Sequence, residues 1–221
     1  MTISLLAPLK ETMHAISSGL LAPTIAVLLL LVACVVFELG GLVVEIWQER
    51  RNTRVDVPAL LDSLQKTNKG EVQSLIENSG LLRRQKLALM EMVSHSGLPA
   101  APYQALARRL LATEELHYVR ITNRTDLIAR LGPMFGLMAT LIPLGPGLIA
   151  LGQGDPKGLA DSLLTAFDAT VTGLAAAGVA FFISRQRKRW YEDYLSSLEA
   201  LLEGILEVFG VGRRAEEQGK A

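Results

Sequence analysis

Apolar positions along this chain follow two rhythms. In three stretches they run almost unbroken for about twenty residues or more, enough helix to cross a bilayer core of roughly 30 Å. Elsewhere they recur every third or fourth position among charged side chains, the period of an amphipathic helix. The first long run extends from about Pro23 to Trp47, with Glu38 inside it and Glu45 near its end. The second, Leu131 to Leu151, carries no charge. The third extends from about Leu159 to Ser184. Only "GQGDPKG" separates the last two, and its glycines and proline predict a tight turn joining an antiparallel helical hairpin.

The periodic stretches predict helices between and after the spans. "VPALLDSLQKTNKGEVQSLIENSG" reads as two short helices broken at Gly70 and stopped at Gly80. "LLRRQKLALMEMVSHSG" reads as a third that ends by Gly97. From Pro102 no glycine or proline intervenes until Gly132, so the second span is expected to continue one long helix. After Ser184, apolar positions from Tyr191 to Ile205 keep helical spacing, so the third span is expected to continue too. No strand pattern and no internal repeat is visible.

These elements define an all-α chain with three transmembrane helices and long cytoplasmic helical extensions. The expected organisation is an outer N-terminal segment, 1–22, a first span, 23–48, and a cytoplasmic helical domain, 49–130. A second span, 131–151, an outer turn, 152–158, and a third span, 159–184, follow. A cytoplasmic extension, 185–209, and a flexible tail, 210–221, complete the chain. Composition agrees: half the 221 residues are hydrophobic, a fifth are charged, and mean hydropathy is +0.32, a balance suited to membrane spans plus a polar domain.

Charge sets the expected orientation. Arg50, Arg51 and Arg54 follow the first span, Arg120, Arg124 and Arg130 precede the second, and "RQRKR" from Arg185 to Arg189 follows the third. All three clusters fall on one side of a three-span chain, the cytoplasmic side by the positive-inside rule. The N-terminus and the turn then face outward. Lys10, Glu11 and His14 precede the first run without a small-residue cleavage site after it, so that run is expected to remain as an anchor. Formal net charge is zero, and nucleic-acid binding is not expected.

Catalytic chemistry finds no footing. His14, His95 and His117 are scattered, with no metal-spaced partner. The single cysteine, Cys34, lies in an apolar run and is expected to be a small buried hydrophobe. "GQGDPKG" lacks the Gly-Lys-Ser/Thr ending of a phosphate loop. No nucleophile and base can be assembled, so no catalytic residue, metal or cofactor is assigned and the chain is not expected to be an enzyme.

Polar residues inside the spans are the informative ones. Gly132, Gly136 and Thr140 are four apart and form a small-residue face that permits close helix packing. Thr140 lies about nine residues, roughly 13 Å, from the cytoplasmic end of its span. Thr170 and Thr172 occupy the middle of the third span, where Gly173 and Ala177 supply a second small face. Thr165, Asp168 and Thr172 share one helix face. A charged Asp at mid-membrane costs roughly 2.5–3.5 kcal/mol, so Asp168 is expected to face a cavity, bind a cation or be protonated. Glu38 poses the same problem and is expected in a polar interface. Pro133, Pro143 and Pro146 each remove a backbone donor, and the last two, with Gly145 and Gly147, are expected to bend or loosen the outer half of the span.

The hairpin resembles the MotA/TolQ/ExbB proton-channel family, closest to the TolQ/ExbB pattern. "LGPMFGLMATLIPLGPGLIAL" is similar to that family's Gly-rich second-span motif, with Thr140 on its threonine, and "SLLTAFDATVTGLAAAGVAFFI" is similar to the motif that follows, with Thr170, Gly173 and Leu174 on its Thr and Gly-Leu. Gly178 stands where that family often has proline, and Asp168 is not a usual acidic position in it. The resemblance implies a homo-pentamer around two copies of a single-span partner of the TolR/ExbD/MotB type. It also implies that Thr140 and Thr170, with Asp168 and Thr172 nearby, line a path for protons or sodium. Cation flow would then drive movement relative to the partner. The alternatives are a non-conducting membrane scaffold and a small cation-coupled transporter.

Overall fold

The structure, a computed structural model, describes residues 12–13, 15–51, 56–67 and 70–209. Most of the N-terminal segment, with Lys10, Glu11 and His14, and the tail from 210 lie outside the described residues. The chain forms helices α1 (Leu21–Arg51), α2 (Val57–Lys66), α3 (Val72–Asn78), α4 (Arg83–Ser94), α5 (Ala100–Gly152) and α6 (Pro156–Val208). No strand occurs among the described residues. Three helical stretches are long and apolar enough to cross a membrane: Ala15–Trp47, Ala100–Gly152 and Pro156–Val208. The chain is therefore an all-α protein of multi-pass membrane character.

Several helix boundaries have a local cause. Asp56 accepts from the Ala59 N–H at 3.4 Å, and Pro58 follows in the first turn of α2. The Gln85 side-chain oxygen accepts from the Leu82 N–H at 3.2 Å at the start of α4. At the other end of its amide, Gln85 donates to the Tyr194 carbonyl on α6 at 3.1 Å, so one side chain both caps and docks its helix. The α5–α6 turn is only Gln153, Gly154 and Asp155. Gly154 takes φ 81°, where a side chain is strained. The Gly154 N–H donates to Leu151 at 3.0 Å and the Asp155 N–H to Ala150 at 2.9 Å, the two bonds of a Schellman ending. Asp155 then caps α6 by accepting from the Gly158 N–H at 3.0 Å, with Pro156 opening that helix.

α5 stays helical through Pro133, Pro143 and Pro146. The expected loosening of its outer half does not appear as a break in the helix. Each proline removes one donor, and the surrounding turns keep theirs; apolar helices tolerate such interruptions.

The chain divides into two compact units. The first comprises the segment through Val43 together with Thr122–Gln186. Along α1, Thr24, Leu28, Leu31, Val35 and Leu42 are buried on one stripe, while Leu29, Leu30, Val36 and Phe37 are exposed. Leu31 and Val35 pack against Ile128 of α5 and Ala176 and Ala180 of α6. The second unit comprises Val44–Ile121 and the segment from Arg187. Its core gathers Leu64, Val72, Ile76, Leu89, Met92, Tyr103, Leu198, Leu201 and Ile205. At each position the helical period of the sequence places an apolar side chain inward. Arg84 grips Glu114 with two parallel hydrogen bonds of 2.8 and 3.0 Å.

Cys34 is exposed, against the expectation of burial. An apolar side chain on a membrane-length helix has no need of protein cover, because hydrocarbon solvates it equally well.

Candidate functional site

The site candidates concentrate on the seam between α5 and α6 in the first unit. Gly132, Gly136 and Thr140 fall four apart on α5; Thr170, Gly173 and Ala177 lie on one face of α6. Gly132 and Gly173 oppose one another so closely that a Cβ on Gly132 would sit 2.7 Å from the Gly173 carbonyl oxygen, and a Cβ on Gly173 only 2.6 Å from that of Gly132. A Cβ on Gly136 would meet the backbone of Thr170 at 3.5 Å, an ordinary contact. Small residues thus let two membrane-length helices approach at backbone distance.

Thr170 crosses this seam. Its hydroxyl lies 3.2 Å from the Gly136 carbonyl on α5 and 3.2 Å from the Ala166 carbonyl on its own helix, and donates to one or shares between them. The Thr140 hydroxyl donates to Leu137 one turn back, at 2.6 Å. The two hydroxyls are therefore both engaged with backbone carbonyls.

Asp168 is not brought to that seam. It is exposed on the single chain, as is Thr165, and the Thr172 hydroxyl donates to its main-chain carbonyl at 2.7 Å. Two residues along a helix correspond to roughly 200° of rotation, which points Asp168 away from Thr170. The structure brings together Gly132, Gly136, Gly173 and Thr170, and leaves Asp168 and Thr172 on another face of α6. Glu38 is half-buried on the stripe of α1 that includes Val35 and Leu42.

Several polar residues escaped the sequence reading. Ser184 is 2% exposed and donates to an Asp126 carboxylate oxygen across the α5–α6 seam. Thr122 and Thr125 are buried beside Asp126 in sequence, and Thr125 donates to the Thr122 carbonyl at 2.9 Å. Asp126 precedes Gly132 and Gly136 by six and ten residues, which sets it off their face of α5, so no spacing in the sequence singles it out. In the second unit Arg187, counted only as one charge in "RQRKR", is buried and bonded to Glu45. Tyr191 reaches the same carboxylate at 3.5 Å and stacks on Tyr118 with ring centroids 4.4 Å apart. Burial, then the Glu45 charge, pushes the Tyr191 phenol well above its ordinary range.

His95 and His117 do not assemble a site. His95 is exposed at the end of α4. His117 packs edge-on to Tyr118, and burial, followed by the Arg84 charge, lowers its pKa. No group of three or more metal-ligating side chains occurs among the described residues.

Three membrane-length helices, two of them joined by a short turn and packed at backbone distance through opposed glycines, make a multi-pass membrane protein. The MotA/TolQ/ExbB proton channel family matches residues 80–200. That span covers more than half the chain, including the entire hairpin, and the chain belongs to this family. No curated protein matches it.

Proposed function

We propose that the chain is the channel-forming subunit of an ion-driven inner-membrane motor. In this reading, five copies surround two copies of a single-span partner of the TolR/ExbD/MotB type, and proton or sodium flow moves one component against the other. The N-terminus and the Gly154 turn face outward, and the C-terminus is cytoplasmic, in accord with the arginine clusters. The observation that carries the reading is the glycine-sealed hairpin, with Thr140 and Thr170 on the α5 and α6 faces of one seam, in a chain of a proton-channel family. Hydroxyls at mid-depth can replace part of a cation's hydration shell without a permanent charge. Each elementary charge that crosses about 100 mV releases about 2.3 kcal/mol, so a few ions suffice for mechanical work. Asp168, exposed on the single chain, requires water or a partner subunit beside it in the assembly.

A second reading has its own support. Because the Thr170 hydroxyl meets the Gly136 carbonyl, the same residues also suit a scaffold whose hairpin only packs. Cation flux into membrane vesicles separates the two. The channel reading expects flux that falls in Thr140→Ala and Thr170→Ala at unchanged assembly. Unchanged flux in both variants, with loss of assembly in Gly136→Leu, supports the scaffold. Copurification of a single-span protein carrying a membrane aspartate tests the partner, whereas a lone oligomer with substrate uptake supports a transporter.

A further inference from the structure

We infer that the face of α6 bearing Asp161, Thr165, Asp168 and Thr172 is a water-lined ladder that leads a cation from the hairpin turn to mid-membrane, with Asp168 as its holding carboxylate. The inference rests on the channel reading above and deepens it. Under that reading the ladder is the outer half of the ion path, on a face of α6 away from the glycine seam.

The outer half of α6 carries three faces of different chemistry. Thr170, Gly173 and Ala177 form the seam with α5. Leu164, Phe167, Val171 and Leu174 recur at steps of three, four and three and are 54% to 66% exposed. Asp161, Thr165, Asp168 and Thr172 recur at steps of four, three and four, the first three exposed and Thr172 half-buried. Hydrocarbon on every side away from α5 would give no reason to sort these residues into separate stripes. A polar stripe beside an apolar one is the pattern of a helix with lipid on one side and water on the other.

Charge supplies the second argument. Among the described residues the Asp168 carboxylate has neither a hydrogen bond nor an ion pair; only its main-chain carbonyl is engaged, by Thr172. No Lys, Arg or His occurs in 23–47, 131–151 or 159–184. The nearest basic residues along α6, Lys157 and Arg185, are 11 and 17 positions away, roughly 16 and 26 Å of helix and beyond side-chain reach. A second copy of the chain therefore brings no cationic side chain of its spans to Asp168. A mobile cation is the countercharge that a conducting path supplies. The hydroxyls suit it: Thr165 donates to the Asp161 carbonyl at 3.0 Å and Thr172 to the Asp168 carbonyl at 2.7 Å. With each proton committed to the helix, the hydroxyls present only acceptor oxygens outward.

Depth is the third. Successive rungs lie roughly 4.5–6 Å apart along the axis, and the four cover roughly 16 Å. Gly136 opposes Thr170 and Gly173, and the two helices run antiparallel. Thr140, one turn beyond Gly136, is therefore level with Asp168. The ladder starts near the turn and ends at the depth where the channel reading places its threonines.

The test uses membrane vesicles of both orientations from cells that express the full chain from its own locus, with Cys34→Ser to remove its single cysteine. Single cysteines are placed at Thr165 and Thr172, and at Leu164 and Val171 as apolar-face controls. Each is titrated with two membrane-impermeant thiol reagents, one cationic and one anionic. Proton entry is read with a pH dye, sodium uptake with radiotracer, and assembly size on native gels. Thr165→Cys and Thr172→Cys are expected to react from the turn side only and faster than Leu164→Cys and Val171→Cys. They should also prefer the cationic reagent beyond its advantage with a free thiol. Asp168→Asn is expected to lower that preference by roughly tenfold and to reduce flux at unchanged assembly, while Asp168→Glu keeps both. Polar-face cysteines as slow as the controls, or a preference that Asp168→Asn leaves unchanged, overturn the inference. If flux still falls in Thr140→Ala, the channel reading then stands without it. Absence of flux in the wild type removes both. Should Asp168→Asn fail to accumulate, the contrast between Thr165→Cys and Leu164→Cys decides: a faster, cation-preferring Thr165→Cys supports the inference, and equal rates overturn it.

Discussion

Arg187, a residue 3% exposed, places its Nε 3.0 Å from a carboxylate oxygen of Glu45. The partners are unequal: the Arg187 side chain is 4% exposed and that of Glu45 38%. Removing the acid takes a carboxylate from a buried guanidinium, whereas removing the base leaves a carboxylate that water can still reach. Breaking a fully buried pair costs roughly 3–5 kcal/mol, and the exposure of Glu45 argues for about the lower figure in Glu45→Ala. Arg187→Met is expected to cost less than Glu45→Ala. Equal losses in thermal or denaturant unfolding of the detergent-solubilised protein would contradict this asymmetry.

Along the hairpin seam, two glycines should differ sharply. A methyl on Gly173 lands 2.6 Å from the Gly132 carbonyl, while one on Gly136 meets Thr170 at 3.5 Å. Gly173→Ala is expected to destabilise by about 1–3 kcal/mol, the ordinary range for overpacking. Gly136→Ala is expected to lie near wild type. Melting temperatures of both variants in one detergent check the order, and a reversed order rejects the seam geometry.

Thr170 offers a case where magnitude separates two roles. Interhelical hydrogen bonds between membrane helices average only about 0.6 kcal/mol. Thr170→Val should therefore melt close to wild type despite losing its bond to Gly136. A large loss of cation flux in that stable variant, restored by Thr170→Ser, assigns the hydroxyl to ion passage. Flux that falls only in proportion to folded protein assigns it to packing.

Tyr103 sets an alkaline limit on the second unit. Its ring is fully buried, its hydroxyl donates to Met92 at 3.0 Å, and burial raises its pKa from 10.0 to about 12. A phenol raised in the folded state contributes stability that is complete below pH 10.0 and is lost as pH rises through about 12. The helical signal of the wild type should decline over that window. In Tyr103→Phe this part of the pH dependence should vanish, which circular dichroism against pH would show.

The helices were readable because their punctuation is local. Gly70 lies between two short helices and Gly80 just after the second, and the turn glycines and Pro156 close the hairpin within a few residues. Continuity of α5 was equally plain, since no breaker precedes Gly132 in the stretch from Tyr103. Its passage through Pro143 and Pro146 was not, because neighbouring turns decide whether a missing donor breaks a helix. The small-residue stripes of Gly132 and Gly173 announced close approach, but which atoms meet depends on rotation of the two helices. The face of Asp168 follows from the same rotation. Asp126, Ser184, Arg187 and Glu45 stayed hidden for another reason. Partners 58 and 142 positions apart acquire meaning only once their helices are paired.

The turn at Gln153–Asp155 bears on how this protein is made. With a Schellman ending on one side and an aspartate cap on the other, three residues leave no slack for one arm of the hairpin to enter the bilayer while the other waits in water. The arms must partition together, so the insertion machinery weighs their summed hydrophobicity. The charge-free run of α5 then carries in the Asp168-bearing run of α6, and lengthening this turn with a flexible linker is expected to expose α6 to failed insertion during biogenesis.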